Sequence, residues 1–469
     1  MTTAEATPSL TIADHADRAF LGHPKGLGYL AFTEAWERFS YYGMQTLLVL
    51  YMVKYLLLPG QIERVAMLEP FRTLPLYSGL EGQPLASAIF GTYAACVYLT
   101  PILGGLLADR LLGKRRTVLL GAVTMALGHF LMAFEASFLF ALLCMILGAG
   151  MFKGNIASQV GALYKPDDLR RADAFQIFYL GINAGVIASP LIVGTLGEKV
   201  GWHWGFGAAG VGMLIGLAIY VAGQKYLPAE HFELRGKTRT TEPRAAFSRQ
   251  DWLALVAVLL LIPVMAIAVV PNSEIFNAYL IWGDERFDLD FFGTRLPTSF
   301  LVTLDAVVSV TFLALVALFW RWFGKRRAEP DELTKMVIGS VFSLGGQLCL
   351  FMAAASAGAD GKIGLAWPVM FHVLNSIGFA HLLPVSLALF ARLAPKALNA
   401  TVIGLYYLAF FAGNALVGKI GGLYETMATT QFWLLHAGFA VAAGAVFALF
   451  KLLLGRRLMG TPEPEPALG

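Results

Sequence analysis

Glu34-Ala35-Trp36-Glu37-Arg38-Phe39-Ser40-Tyr41-Tyr42-Gly43 places three charges inside an apolar run from Phe32 to Leu58. A run of that length is long enough to cross a bilayer. Each charge at the centre of a membrane helix costs about 2.5–3.5 kcal/mol even on insertion scales, so such residues face protein or a polar cavity. Glu34, Glu37, Arg38, Tyr41, Tyr42 and Gln45 fall on a single helical stripe. Two acids beside one base suggest proton chemistry; the alternative is an ion-pair network that only locks helices together.

Composition agrees with a membrane reading. The chain is 57% hydrophobic and 14% charged, against roughly 45–50% and 25% for soluble domains. Mean hydropathy is +0.65. Repeated long apolar runs imply helices, because backbone polar groups in lipid must bond within their own segment. Nucleic acid is not needed to explain the mild basicity, since Lys and Arg gather in loops. Cys96, Cys144 and Cys349 all lie in apolar spans, with neither metal-ligand nor disulfide spacing. Met1 to Lys25 has no apolar core of a signal peptide, so the first membrane helix is expected to direct insertion.

Twelve apolar spans are expected, near 28–58, 85–108, 115–136, 138–163, 173–194, 204–224, 252–281, 298–323, 334–357, 364–391, 399–422 and 430–454. The polar stretch 225–250, with Arg235, Lys237, Arg239, Arg244 and Arg249, reads as a linker between an N-terminal bundle (1–224) and a C-terminal bundle (251–457). Residues 458–469 read as a disordered tail. Cations concentrate in the loops after even-numbered spans, among them Lys165, Arg170, Arg171, Arg392 and Lys396, so both termini are expected on the cytoplasmic side. Gly113-Lys114-Arg115-Arg116 after the second span recurs as Gly324-Lys325-Arg326-Arg327 after the eighth. Two parallel halves of this kind suggest a secondary transporter of the major facilitator type.

Motifs sharpen that expectation. Gly104-Gly105-Leu106-Leu107-Ala108-Asp109-Arg110, followed by Gly113-Lys114-Arg115-Arg116, resembles the signature loop of the major facilitator superfamily, with one extra residue before Gly113. The resemblance makes Asp109, Arg110, Lys114, Arg115 and Arg116 a candidate gating loop. Glu34-x-x-Glu37-Arg38-Phe39-x-Tyr41-Tyr42-Gly43 resembles the hallmark of the proton-dependent oligopeptide transporter family. Phe178-Tyr179-Leu180-Gly181-Ile182-Asn183-Ala184-Gly185 is similar to that family's second signature. Gly148 to Asn155 resembles the segment carrying its buried lysine, here Lys153. The order of motifs matches over essentially the whole chain. The resemblance implies an all-α membrane protein of major facilitator fold, with twelve transmembrane helices in two six-helix bundles around a central cavity.

A zwitterionic peptide needs cations for its carboxylate and polar groups for its amide. Arg38 and Lys153 are the available cations, Arg38 able to bind bidentately. Asn183 can donate to and accept from a peptide bond. Tyr41, Tyr42 and Tyr98 offer aromatic walls with a polar tip, or plain helix packing. Lys153 is expected to pair with Glu37 or Glu34. Glu274 stands where the family has its seventh-helix acid and is expected to hold the peptide ammonium, close a gate or carry a proton; a boundary position after Pro271 is the alternative. Glu34, Glu37, Arg38, Lys153 and Glu274 are thus the candidate proton-coupling set. Arg38, Tyr41, Tyr42, Gln45, Tyr98, Lys153, Asn183, Glu274, Asp305 and Tyr406 are the candidate substrate-binding set.

Departures from the family pattern are specific. Gln45 replaces a second arginine, Phe379 a tenth-helix acid, Tyr406 a pocket tryptophan and Asp305 an asparagine. Gly91 stands where animal members have a histidine, so carboxylates are expected to handle the proton.

The resemblance implies inward symport of di- and tripeptides with protons, in the cell inner membrane, by a monomer without cofactor or metal and without enzymatic activity. A relative carrying a peptide-like drug, nitrate or an amino-acid conjugate is the nearest alternative. A membrane oxidoreductase using His129, His203, His372 or His381 is a remote one, since no haem-attachment motif exists. No phosphate-binding loop supports an ATP-driven pump.

Overall fold

The computed structural model describes residues 17–165, 167–228, 248–358, 361–395 and 398–458. Most of the basic linker, the C-terminal tail, Pro166 and Lys396 lie outside the described residues. Twelve helices of 18 residues or more are present among the described residues: α1 Lys25–Tyr51, α2 Gly82–Leu107, α3 Lys114–Leu131, α4 Phe138–Ala162, α5 Arg170–Ser189, α6 Trp202–Gly223, α7 Arg249–Ser273, α8 Phe300–Gly324, α9 Glu332–Ala357, α10 Ala366–Leu393, α11 Asn399–Gly421 and α12 Thr429–Leu458. Ten of the helical stretches are long and apolar enough to cross a membrane. The other two are α1, which carries Glu34, Glu37 and Arg38, and α3, which opens on Lys114-Arg115-Arg116. Each of the twelve expected spans corresponds to one long helix.

Helix ends follow local chemistry. Ser248 caps α7: its Oγ accepts from Asp251 N at 3.1 Å, and Asp251 Oδ2 accepts from Ser248 N at 2.9 Å. This is a capping box. Asp331 caps α9 through its Oδ1, which accepts from Thr334 N at 2.8 Å. A π turn, Ala108–Leu112, joins α2 to Gly113, whose N–H donates to Ala108 O at 2.9 Å. The turn absorbs the extra residue noted between Arg110 and Gly113. Gly113 then adopts φ +79°, which lets α3 begin at once.

Chain proximity divides the molecule into two compact units over the described residues. The first comprises Met1–Met44, Thr100–Val193 and His203–Thr241. The second comprises Gln45–Leu99, Gly194–Trp202 and Glu242–Gly469. In the first, Met125, Met145, Phe152, Phe206 and Met213 are fully buried. In the second, Val258, Leu261, Met265, Met336, Phe390, Val402 and Phe447 form one apolar cluster from α7, α9, α10, α11 and α12. Leu103, Leu180, Leu260, Leu318 and Leu452 remain exposed, as suits helices bathed in lipid.

A short antiparallel hairpin precedes α8, with β1 Asp290–Phe291 paired to β2 Thr294–Arg295. Its turn residues Phe292 and Gly293 both have positive φ.

Candidate functional site

In the first unit the charged stripe of α1 closes on itself. Arg38 Nε donates to Glu34 Oε1 at 2.8 Å and lies 2.7 Å from Glu37 Oε2. Glu37 is fully buried, and Glu34 and Arg38 are nearly so. Helical geometry sets this up, since Arg38 stands four residues after Glu34. All hydrogen bonds found for Arg38 are at Nε, leaving both Nη groups without such a partner among the described residues. Glu34 Oε2 and Glu37 Oε1 also lack a hydrogen-bond donor.

Lys153 does not make the ion pair expected of it. Its Nζ lies 3.9 Å from the centroid of the Tyr41 ring, and no carboxylate pairs with it among the described residues. The reason is that Arg38 Nε already takes both acids, while the Tyr41 ring, buried at 5% exposure, offers its negative face. Arg38 sits 5.6 Å from the same ring, and Tyr42 meets Tyr41 edge-on at 5.2 Å. Gly185 of α5 allows this packing: a Cβ there would lie 2.3 Å from Ala35 O and 3.0 Å from Arg38 Cβ. Asn183, two residues earlier, is half-buried and donates to Tyr179 O of its own helix at 2.9 Å.

Arg115 of the loop motif donates through Nη2 to the carbonyls of Leu227 and Pro228, tying the start of α3 to the end of the first unit. Asp109 and Arg110 are exposed.

In the second unit Glu274 is fully buried. Helix α7, containing Pro263 and Pro271, gives way to a tight turn at Glu274–Phe276, and a short helix resumes at Ala278–Arg286. Glu274 Oε1 accepts from Asn277 Nδ2 at 3.0 Å and Ala278 N at 3.2 Å. Its Oε2 lies 3.6 Å from His436 Nε2 of α12. Asn277 Oδ1 accepts from Ser87 Oγ at 2.9 Å, and Gln83 donates to Gly421 O at 2.9 Å. His436, Asn277, Ser87 and Gln83 have no motif to mark them; the one signal for His436 is a lone imidazole in an apolar run.

Asp305 of α8 is half-buried, with Oδ1 3.0 Å from His372 Nδ1; His372 Nε2 is 2.8 Å from Tyr279 OH. Tyr98 stacks on Phe410 at 5.2 Å, and Phe410 meets Tyr406 edge-on at 5.1 Å. Tyr406 is buried, its hydroxyl 3.0 Å from Ser386 Oγ. Gln45 is buried, and its Oε1 has no hydrogen-bond donor among the described residues. A cavity of about 330 Å³ is lined by Lys54, Glu198, Lys199, Asp284 and Arg295 among others. Its charges are already engaged: Lys54 pairs with Asp284 at 2.7 Å, and Glu198 accepts from the backbone of Thr298 and Ser299 at 2.7 and 2.8 Å.

A model of the POT family (PTR2) matches residues 115–242. The peptide transporter YePEPT of Yersinia enterocolitica is 29% identical, over 96% of this chain and 98% of its own length. The di-/tripeptide transporter of Lactococcus lactis subsp. cremoris is 29% identical over 93% and 96%. A crystal structure of a point mutant of the peptide transporter POT, in complex with alafosfalin, is 28% identical with a TM-score of 0.80, covering 96% of this chain and 99% of that one. The chain is similar to peptide transporters of the POT family over nearly its whole length. It is an all-α membrane protein of the major facilitator fold, and the family is one of transporters.

One departure from the POT pattern has a steric cause. A Cβ on Gly91 would lie 2.3 Å from Gly418 Cα and 2.5 Å from Gly418 N, so α2 and α11 touch backbone to backbone there. No histidine fits at that position. The four histidines weighed as haem ligands are dispersed: His129 is buried without a hydrogen-bond partner among the described residues, His203 lies 3.5 Å from Glu135, His372 is with Asp305, and His381 accepts from Trp320 Nε1 at 3.1 Å.

Proposed function

We propose that this protein imports di- and tripeptides together with protons by alternating access. The observation that carries the reading is the buried Glu34–Arg38–Glu37 cluster, in which one Nε serves two carboxylates while both Nη groups lack hydrogen-bond partners among the described residues. A proton on Glu34 or Glu37 weakens the hold on Arg38. The guanidinium then takes the peptide carboxylate through its paired N–H groups, with Lys153 as a second cation. Deprotonation on the cytoplasmic side restores the cluster and releases the peptide. Tyr41, Tyr42, Gln45, Tyr98, Asn183, Asp305 and Tyr406 are assigned to the peptide site, and Glu274 to proton coupling. The relatives named as peptide and di-/tripeptide transporters support this reading.

The same proposal includes the bundle organisation read from the sequence, 1–224 and 251–457 joined by the basic linker 225–250. It also includes a gating role for Asp109, Arg110, Lys114, Arg115 and Arg116. Loop charge favours cytoplasmic termini in a cell inner membrane, and the working unit is taken as a monomer. The driving force suffices. A proton crossing 100 mV gains about 2.3 kcal/mol and one pH unit adds about 1.36. Together they support accumulation of roughly a few hundredfold per proton.

The test is uptake of labelled dialanine into proteoliposomes, with and without an inward proton gradient and a negative interior. Gradient-dependent accumulation is expected, lost in Glu37→Gln and in Arg38→Lys while both proteins remain folded. Accumulation that ignores the gradient, or folded wild-type protein that carries no dialanine, overturns the reading.

A further inference from the structure

We propose that His436 is the proton partner of Glu274, the two side chains holding one proton between them and surrendering it during transport. The proposal rests on the reading above of Glu274 as a proton-coupling acid. His436 belongs to α12, and nothing in the family motifs marks it.

The argument is one of donors and acceptors. Glu274 and His436 are both completely buried. Glu274 Oε1 is satisfied by Asn277 Nδ2 and Ala278 N, but Oε2 has no donor. His436 Nδ1 lies 2.8 Å from Phe432 O, one turn back on its own helix. A carbonyl can only accept, so Nδ1 must carry hydrogen, and the neutral ring is left with a bare Nε2. That Nε2 has no hydrogen-bond partner either. It points at Oε2 from 3.6 Å, slightly too far for a hydrogen bond and close enough for a small carboxylate rotation to make one.

Two lone pairs therefore face each other across 3.6 Å. A buried carboxylate whose second oxygen has neither a donor nor a counter-charge is costly. Adding one proton removes the conflict: an O–H forms on Oε2 and donates to Nε2, or the proton resides on Nε2 and the imidazolium donates to the carboxylate. Either way the pair becomes neutral overall. When that bond to hydrogen breaks and the proton leaves, the negative charge stays on Glu274 beside a neutral ring.

The surroundings keep the exchange between these two groups. Phe432 and Trp433 flank the imidazole at 4.5 and 5.5 Å between ring centroids. The groups brought to Glu274 and Asn277 by α2 and α11 are neutral: Ser87, Gln83, the Val417 carbonyl and Gly421. Among the described residues His436 is the one titratable side chain recorded against Glu274. What sets His436 apart is the buried carboxylate oxygen that its unsatisfied Nε2 faces.

The test is infrared difference titration of purified full-length protein, comparing wild type, Glu274→Gln and His436→Gln, with His436→Met as a second variant should the first not fold. The component that Glu274→Gln removes is the Glu274 carboxyl. Its midpoint is expected to move by at least about one pH unit, a tenfold change in proton affinity, when position 436 cannot share the proton. Gradient-driven dialanine uptake is expected to fall at least tenfold in His436→Gln, with dialanine counterflow largely retained. A Glu274 component whose midpoint ignores position 436, or the absence of any such component, overturns the pairing. If wild-type protein carries no dialanine, the transport reading fails instead, and the infrared result still judges the pair.

Discussion

Lys153 lies over the face of Tyr41, its Nζ 3.9 Å from the ring centroid, within the first unit of the chain. The ring gives the ammonium its direct contact, while no carboxylate lies within ion-pair distance of it among the described residues. A cation over an aromatic face is worth about 0.5–2 kcal/mol, more when water is excluded. Tyr41→Phe keeps the face and should leave the KM for dialanine within about twofold. Tyr41→Leu removes it and should raise KM by roughly 2- to 30-fold. The concentration dependence of uptake separates them, and equal KM values for the two variants would refute the assignment.

The contact between Gly91 and Gly418 makes a second prediction. A Cβ at 91 has backbone 2.3 Å away and nothing flexible to displace. Gly91→Ala should destabilise by about 1–3 kcal/mol through forced separation of α2 and α11, the usual cost of overpacking. Gly105, on the same helix, has open space at its Cβ position. Gly105→Ala is therefore the control, and should be neutral or stabilising by helix propensity. Thermal melting in detergent reads both; similar melting temperatures for the two variants would show that the close approach is not real.

These two sites also show how much could be read from the chain itself. The twelve helices were legible because lipid demands long apolar runs, and the α1 cluster because charges in such runs need a partner. Glu274 was legible as an acid in an apolar context. Its partner was not: His436 lies far off in sequence, and a single imidazole in an apolar helix has no periodicity to betray it. The placement of Lys153 over the Tyr41 face, without a direct ion pair to Glu34 or Glu37, was not legible, because sequence tells which helix carries a charge but not its rotamer. The extra residue before Gly113 was visible, whereas its conversion into a π turn is a property of the folded backbone. Gly91 read as a missing histidine; only the packing reveals that no side chain fits.

A third prediction concerns pH outside the membrane spans. Burial pushes the Asp331 carboxyl up, but hydrogen bonds from Thr334 N and Oγ1 and the nearby Lys451 ammonium outweigh it and hold the group below the ordinary aspartate value. A depressed folded value means the carboxylate contributes stability at pH above the unfolded value. That contribution fades as pH falls through the folded value. Asp331→Ala should cost about 1 kcal/mol at neutral pH, the usual loss for a helix cap. The gap between wild type and variant should shrink as the medium is acidified below the ordinary aspartate value of 3.8. Melting temperatures across that range decide it; a gap that stays constant or widens on acidification would contradict the sign.

The last prediction concerns the peptide's amino end. On the sequence resemblance Phe379 replaces a tenth-helix acid of the family, so on that expectation this chain needs another anion to hold an ammonium. Asp305, proposed above for the peptide site, is the candidate: His372 engages its Oδ1 at 3.0 Å, and Tyr279 OH in turn lies 2.8 Å from His372 Nε2. His372 and Tyr279 are fully buried, whereas Asp305 keeps 16% of its side chain exposed. A carboxylate oriented from behind and open in front suits a cationic ligand better than a bare surface acid, because its geometry is set before binding. Asp305→Asn keeps the shape and removes the charge. It should raise KM for dialanine by about tenfold or more, given about 1.5–3 kcal/mol for a hydrogen bond to a charged group. Competition by N-acetyl-dialanine, which lacks the ammonium, should change little. His372→Gln should raise KM for dialanine by a smaller factor, because the charge remains and only its orientation loosens. An Asp305→Asn variant that weakens blocked and free peptides equally would place Asp305 in scaffolding, and the search for the ammonium partner would pass to Glu274.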